Sequence, residues 1–324
     1  MPRGFLFTLV VKSPQMKRTL FVWCLLLFTA PAFSQGCSDA GFCTMGAMKP
    51  DQPFNKKINL KLRAMEMSFY RGTTTLTPIV YVANVDLSFS LNQKNSFQVK
   101  LPYQAITGRL ANTSGIGDIS LSFTRNIFST ERYDVNFSLG AKVPTNNSDK
   151  SINGFPLPMY YQTSLGTYDF ISGVSVITRK WLFATGIQVP LNKNNNQFLW
   201  ARWEGSGEDP AYIEKYDRAN QLKRGVDVMV RAERNFRFAR FNFSVGLLPI
   251  YRIRRDVIEI PDGNPVTLED AKGLALSGIV TAGYSLNVRN GIRLLLGRKI
   301  EQRENNPDGL TREFVSTISY TYRF

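Results

Sequence analysis

The sequence predicts an all-β chain, a transmembrane up-and-down antiparallel β-barrel of about 12 strands. Three observations predict it. From Lys57 to the end of the sequence, runs with apolar residues at every second position recur between polar turns and loops. The connections between these runs alternate strictly between short and long. The front of the chain reads as an export signal, and no later run reaches the roughly 18 apolar residues of a membrane helix.

The segment "MKRTLFVWCLLLFTAPAFSQG" starts at Met16 with two cations and continues as an apolar run from Leu20 to Phe33. That run is too short to span a bilayer, and Ala32 and Ser34 supply the small residues that signal peptidase needs. Residues 1–34 therefore read as a cleaved signal, with Met16 as a possible true start. Without a leucine ahead of it, Cys37 does not read as a lipidated cysteine. Cys37 and Cys43 in "GCSDAGFC" stand close together in an oxidising compartment, so a disulfide is expected. A metal site is the weaker reading, since the chain has no histidine and no second thiol pair. Residues 35–56 then form either a periplasmic tail or a folded-in plug, and 57–324 the barrel.

Losing residues 1–34 removes four cations and no acids, which takes the net charge from +15 to +11. An exported basic chain meets lipopolysaccharide, anionic outer-membrane lipid and small anionic solutes rather than nucleic acid.

The strands follow in order. "KINLKLRA" sets Ile58, Leu60 and Leu62 against Lys57, Asn59, Lys61 and Arg63. "IVYVANVDLSFSL" sets Ile79, Tyr81, Val85 and Leu87 against Asn84, Asp86 and Ser88. "SFQVKLPYQA", "DISLSFTRNIF" and "RYDVNFSLGAKV" alternate in the same way. A stretch around Tyr160–Ile177 comes next, then "WLFATGIQV", "GVDVMVRAE", "FNFSVGLLPIY", "GLALSGIVTAGYSL" and "GIRLLLGRKI". The last is "EFVSTISYTYRF". Short links fall near Asn92–Asn95, Ser129–Arg132, Thr178–Lys180, Arg234–Phe238 and Asn287–Asn290, with six longer ones between them. Outer-membrane barrels have this parity, with short periplasmic turns and long outer loops. Lipid cannot satisfy open strand edges, so such a sheet must close on itself. A soluble β-sandwich is the alternative.

Alternation alone does not say which face is inside. Bulk argues that the Phe, Tyr, Leu and Val face meets lipid, because a soluble barrel of this size would have to bury all of it within. Tyr70, Tyr103, Tyr133, Trp181, Tyr251 and Tyr284 near strand ends suit interfacial girdles. The inner wall then carries Lys61, Arg63, Lys100, Lys142, Arg231, Arg240, Arg293, Lys299 and Arg323. With them go Asp86, Asp118, Asp134, Asp227, Glu233 and Glu313. Charges of both signs can line a wet path or merely brace the lumen. Their surplus is positive, which favours anions.

"SGIGDISLSF", "LGAKVPTNN" and "LPMYYQTSLGTYDFISG" resemble the pattern of Gram-negative outer-membrane transporters. They are most similar to the family associated with the phenol meta-pathway, and distantly to the long-chain fatty-acid transporter. The resemblance covers under half of the mature chain and implies a barrel fold, an outer-membrane location and passive uptake of small solutes. Tyr320, Tyr322 and Phe324 look like the signal by which the barrel assembly machinery recognises its clients. The N-terminal cysteine pair is not part of the family pattern.

Little in the sequence points to catalysis. The barrel enzymes this chain could be set beside use a histidine, and a nucleophilic serine would want one too. One loop, "WARWEGSGEDP", places Glu204, Glu208 and Asp209 beside Trp200 and Trp203, a set that a sugar platform needs and that ordinary long loops also carry. "GIGD" opens a strand, not a helix, and is no phosphate cradle. No cofactor is expected. The reading is a channel or transporter, with a non-conducting scaffold of an envelope or secretion complex as the alternative.

Overall fold

The computed structural model describes residues 61–324 together with Met45, Met48 and Lys49. The signal reading of 1–34, the Cys37–Cys43 pair and most of 35–60 lie outside the described residues.

The wall begins with β1 (Lys61–Thr73), β2 (Ile79–Ser90) and β3 (Asn95–Thr107). The next strand comes in two pieces, β4 (Asn112–Ile116) and β5 (Ile119–Ser129), and both pair with β3. At the break, the Gly117 amide still donates to the Pro102 carbonyl at 2.8 Å, so the ladder to β3 is kept. β6 (Tyr133–Val143) follows, and then a loop carrying the small hairpin β7 (Ser151–Ile152) and β8 (Phe155–Pro156). Asn153 and Gly154 turn that hairpin with φ of 51° and 84°, the positive values a two-residue Asn-Gly turn requires. The wall resumes with β9 (Asp169–Thr178), β10 (Trp181–Pro190), β11 (Asp227–Arg237) and β12 (Phe241–Arg252). A second loop hairpin, β13 (Asp256–Glu259) and β14 (Pro265–Leu268), precedes β15 (Gly273–Ser285), β16 (Asn290–Glu301) and β17 (Phe314–Arg323).

Each wall strand pairs antiparallel with its chain neighbour, and β17 returns to β1 from Ala64↔Arg323 to Thr73↔Phe314. The sheet is therefore a closed barrel of 12 strands. Closure leaves no open edge, which is the condition for a sheet in lipid. Strands of 10 to 13 residues meet the roughly 9–11 that a tilted span needs.

The apolar face is outside. Met67, Phe69, Leu101, Leu139, Phe170, Phe183, Leu247 and Ile318 are exposed, while their neighbours Glu66, Lys100, Ser138, Asp169 and Ser319 are buried inside. This inverts a soluble barrel and matches an apolar solvent. Tyr103, Tyr133, Trp181, Tyr251 and Tyr284 stand on the outer face as the girdle reading expects. Arg234 lies over the Trp181 ring at 5.0 Å and the Phe236 ring at 5.7 Å, a cation held against the aromatic rim.

Tyr70 departs from the girdle reading. It points inward and is buried, because a bulge between Leu62 and Ala64 shifts the alternation of β1 by one residue. From Ala64 onward the even positions face in, so Glu66 and Ser68 join the lumen while Met67 and Phe69 leave it. The stretch Tyr160–Tyr168 is also not strand. Met159, Tyr160 and Tyr161 form a short 3-10 turn buried under the loops, and the wall strand begins only at Asp169.

At the long-loop end, the segments between β6 and β9 and between β10 and β11 fold over the barrel mouth. Their core joins Leu157, Tyr160, Tyr161, Phe198, Trp203, Tyr212, Ile213 and Tyr216 to the wall residues Tyr70, Val80, Val82, Ile106 and Val315. A one-turn helix α1 (Pro210–Ile213) is started by Asp209, whose carboxylate accepts from the Ala211 amide at 3.0 Å. Among the phenols, Tyr212 meets Thr77 Oγ1 at 2.6 Å and Tyr216 at 2.9 Å. Burial pushes the Tyr216 and Tyr161 phenols up, so they stay neutral hydrogen-bonding groups.

Candidate functional site

Alternation delivers the polar half of every wall strand to the lumen, and charge pairing organises it into layers. Asp86, Lys100, Asp118, Lys142, Asp227, Arg231, Glu233 and Lys299 are all buried. Arg293 also faces in, toward Glu66 at 3.7 Å. Asp134 sits near the short-turn end and accepts from Ser129. Arg63 stands at the bulge, where its carbonyl accepts from the Phe324 amide at 3.1 Å. Lys61 pairs with Ser90 through the backbone, and its side chain lies outside those described. Arg323 is exposed at the end of β17, and Arg240 is exposed in the turn before β12, not on the inner wall. Tyr320 and Tyr322 are half-buried on the outer face of β17, with Phe324 exposed beyond them. The Tyr322 and Phe324 rings meet edge-on with centroids 4.9 Å apart.

The first layer includes part of the N-terminal segment. Lys49 Nζ lies 3.0 Å from Glu66 and 3.8 Å from Asp86, and Gln98 donates to Asp86 at 2.6 Å. Arg231 donates to Glu233 through Nε at 2.9 Å and Nη2 at 2.6 Å, and through Nη1 to the Met48 carbonyl at 3.4 Å. Met45 and Met48 are buried against Ile171, Ile177, Leu182, Ala184, Met229 and Leu248. A Cβ added at Gly186 would sit 2.4 Å from Met48 Sδ, and one at Gly173 3.3 Å. The missing side chains of neighbouring strands thus make a seat for Met48.

The second layer closes the long-loop end around Arg252. Its Nε and Nη2 hold both oxygens of Asp227 at 2.7 Å, its Nη1 reaches Asp256 at 2.6 Å, and its Nη2 also reaches Asp308 at 2.7 Å. One guanidinium therefore ties the wall to two separate loops. Arg303 stands 3.7 Å from Asp308. Beside this cluster Arg224 pairs with Asp169, and Thr167 donates to the same carboxylate at 2.8 Å. Burial alone would raise the Asp308 carboxyl, but Arg252, Arg303 and Arg224 overcome it and hold it below the usual carboxylate range. For Asp256, which shares Arg252, burial wins and the carboxyl is raised. Burial likewise raises Asp217 against the Asn306 amide that donates to it at 2.8 Å.

Between the layers lies a cavity of about 60 Å³. Wall residues Tyr70, Asn84, Lys100, Gln104 and Lys142 form one side, and loop residues Thr163, Ser164 and Arg312 the other. At about 10–15 Å³ per water, this is room for a few water molecules. Asp118 at its edge accepts from the Ser164 hydroxyl and from the Leu165 amide at 3.1 Å.

The tryptophan and carboxylate loop has structural uses. Trp203 is buried and donates to the Pro156 carbonyl at 2.7 Å, while Trp200 donates to the Tyr216 carbonyl at 2.8 Å. Glu208 pairs with Arg109 at 2.9 Å, Asp209 caps α1, and Glu204 ends the turn at Trp203. The carboxylates do not converge on one point.

A closed twelve-stranded barrel with an apolar outside and a charged inside has the fold of outer-membrane channels. The chain is similar to the COG4313 outer membrane channel from Pseudomonas putida F1, with TM-score 0.57 and 14% identity over 84% of this chain and 99% of that one. Looser likenesses are the NanC porin, with TM-score 0.44 and 10% identity over 81% and 100%, and the CymD monoaromatic hydrocarbon channel, with 0.40 and 10% over 90% and 98%. No family model and no curated protein sequence matches the chain.

Proposed function

We propose that the protein is an outer-membrane channel through which small solutes diffuse passively along the barrel lumen. The observation that carries this reading is the closed barrel that turns an apolar face outward and gathers buried charges of both signs inside, among them Glu66, Asp86, Lys100, Lys142, Asp227, Arg231 and Lys299. The sequence resemblance to meta-pathway-associated transporters supports the same class of role. Met45, Met48 and Lys49 inside the barrel, together with the loops across its mouth, favour a narrow and regulated path over an open one. The short turns would face the periplasm and the long loops the outside.

Purified protein in a planar bilayer is expected to give small discrete openings with a weak anion preference that falls as salt screens the lumen. Truncation through Lys56 is expected to raise the conductance. The small cavity and the buried Arg252 network also favour a second reading, a non-conducting scaffold that presents its loops. Silence of both the full and the truncated protein would select it.

A further inference from the structure

The geometry points to Arg312 as the anchor of a binding site for a small organic carboxylate in the cavity beneath the loops. Arg312 is 6% exposed, and no carboxylate among the described residues pairs with it. A buried guanidinium without a counter-charge is costly, since its desolvation is not offset. Its Nη1 is used: it donates to the Gly309 carbonyl at 2.6 Å and the Thr311 carbonyl at 2.9 Å. Its Nε is buried with no hydrogen-bond partner among the described residues. The Nε–Nη2 edge is the fork that matches the two oxygens of a carboxylate.

The surroundings agree with a bound anion. Thr163 Oγ1, also on the cavity, is a buried hydroxyl with no partner among the described residues. Lys100 and Lys142 add positive charge from the wall. Of the two acids on the lining, Asp308 is bound to Arg252 and Arg303, while Asp118 accepts from Ser164 and Leu165 on the cavity itself and faces the charge of Lys142, which leaves Lys100 and Arg312 as the positive surplus. Room for about four to six waters is room for a ligand of about four to six non-hydrogen atoms. Propionate fits this limit and benzoate does not. In the channel reading, on which its biological use rests, the site is a station on the permeation path that selects small carboxylates.

The test is saturation-transfer NMR of propionate with the full-length protein in detergent, its folding verified by a heat-dependent gel shift. Saturable binding is expected at a dissociation constant on the order of 1 mM. Propionamide, the neutral isostere, is expected to bind at least tenfold more weakly, as is propionate to Arg312→Gln. Thr163→Val is expected to weaken binding severalfold, and Arg312→Lys, which keeps charge without the fork, to lose the preference for propionate over chloride. Absence of saturable binding, undiminished binding by Arg312→Gln, or equal competition by chloride in the unaltered protein would overturn the proposal. Where Arg312→Gln does not fold, the lysine and valine variants decide in the same way. Binding needs no conduction, so propionate bound by a protein silent in bilayers would end the channel reading and leave the site. Conduction without binding would end the site alone.

Discussion

Arg252 is the residue on which the closed mouth depends most. Truncation to alanine would leave Asp227, Asp256 and Asp308 together in a buried space with the looser Arg303, 4.0 Å from Asp227 and 3.7 Å from Asp308, near them. Removing one partner of a buried charge cluster typically costs about 3–5 kcal/mol, more than any surface pair would. Arg252→Ala is therefore expected to loosen the loops while the wall stays folded. Fluorescence of Trp200 and Trp203 in a Trp181→Phe background would report it as early melting of the loops. The same cluster sets a pH dependence. Asp308, held low, stabilises the closed loops above the ordinary carboxylate pKa and loses that contribution as pH falls through its own lower value. Asp256 and Asp217, raised by burial, oppose closure at neutral pH, and that opposition lifts as they take up protons. The loops are thus expected to stay closed, or tighten, on acidification to about pH 4, and to open only below it. The fluorescence signal against pH checks this, and opening near pH 6 would contradict it. Of this cluster only Asp227 was legible in the sequence, because it lies on a strand with period two. Arg252 closes its strand, and Asp256 and Asp308 sit in loops, where no period says which way a side chain points.

Among the elements, β10 shows how a wall is shaped to receive another segment. Gly186 leaves a gap that Met48 fills, and the nearest atom to an added Cβ is the end of that flexible side chain, not backbone. Gly186→Val should therefore spare the barrel and expel Met48. Peroxide oxidation of Met48, read by mass spectrometry, is expected to speed up severalfold in the variant, while Met229, fully buried beside the seat, stays unreactive. Unchanged protection of Met48 would mean that the seat does not hold it. The strands themselves were legible, since alternation and link length are local properties. β1 was legible only to its bulge, and Glu66 was lost because one inserted residue reverses every later position. The stretch Tyr160–Tyr168 reads as strand because buried aromatic residues look the same in a sheet and in a loop core.

For the molecule as a whole, the seam between β1 and β17 dictates the order of assembly. Every other wall pairing joins strands adjacent along the wall and in the chain, whereas Thr73 Oγ1 and the Phe314 carbonyl meet across 241 residues. Loop-closure entropy rises by about 0.6 kcal/mol per doubling of length, so the seam stands about 3–4 kcal/mol behind a tight hairpin. Neighbouring strands can zip progressively, and the last joint waits for all of them. Until it forms, the intermediate is a curved sheet with two unpaired margins, each a template for the wrong partner. Refolding from urea into detergent is expected to show strand content by circular dichroism first and the heat-dependent gel shift later. The lag between the two signals measures the lifetime of that open sheet, and so the interval in which a cell must shield it.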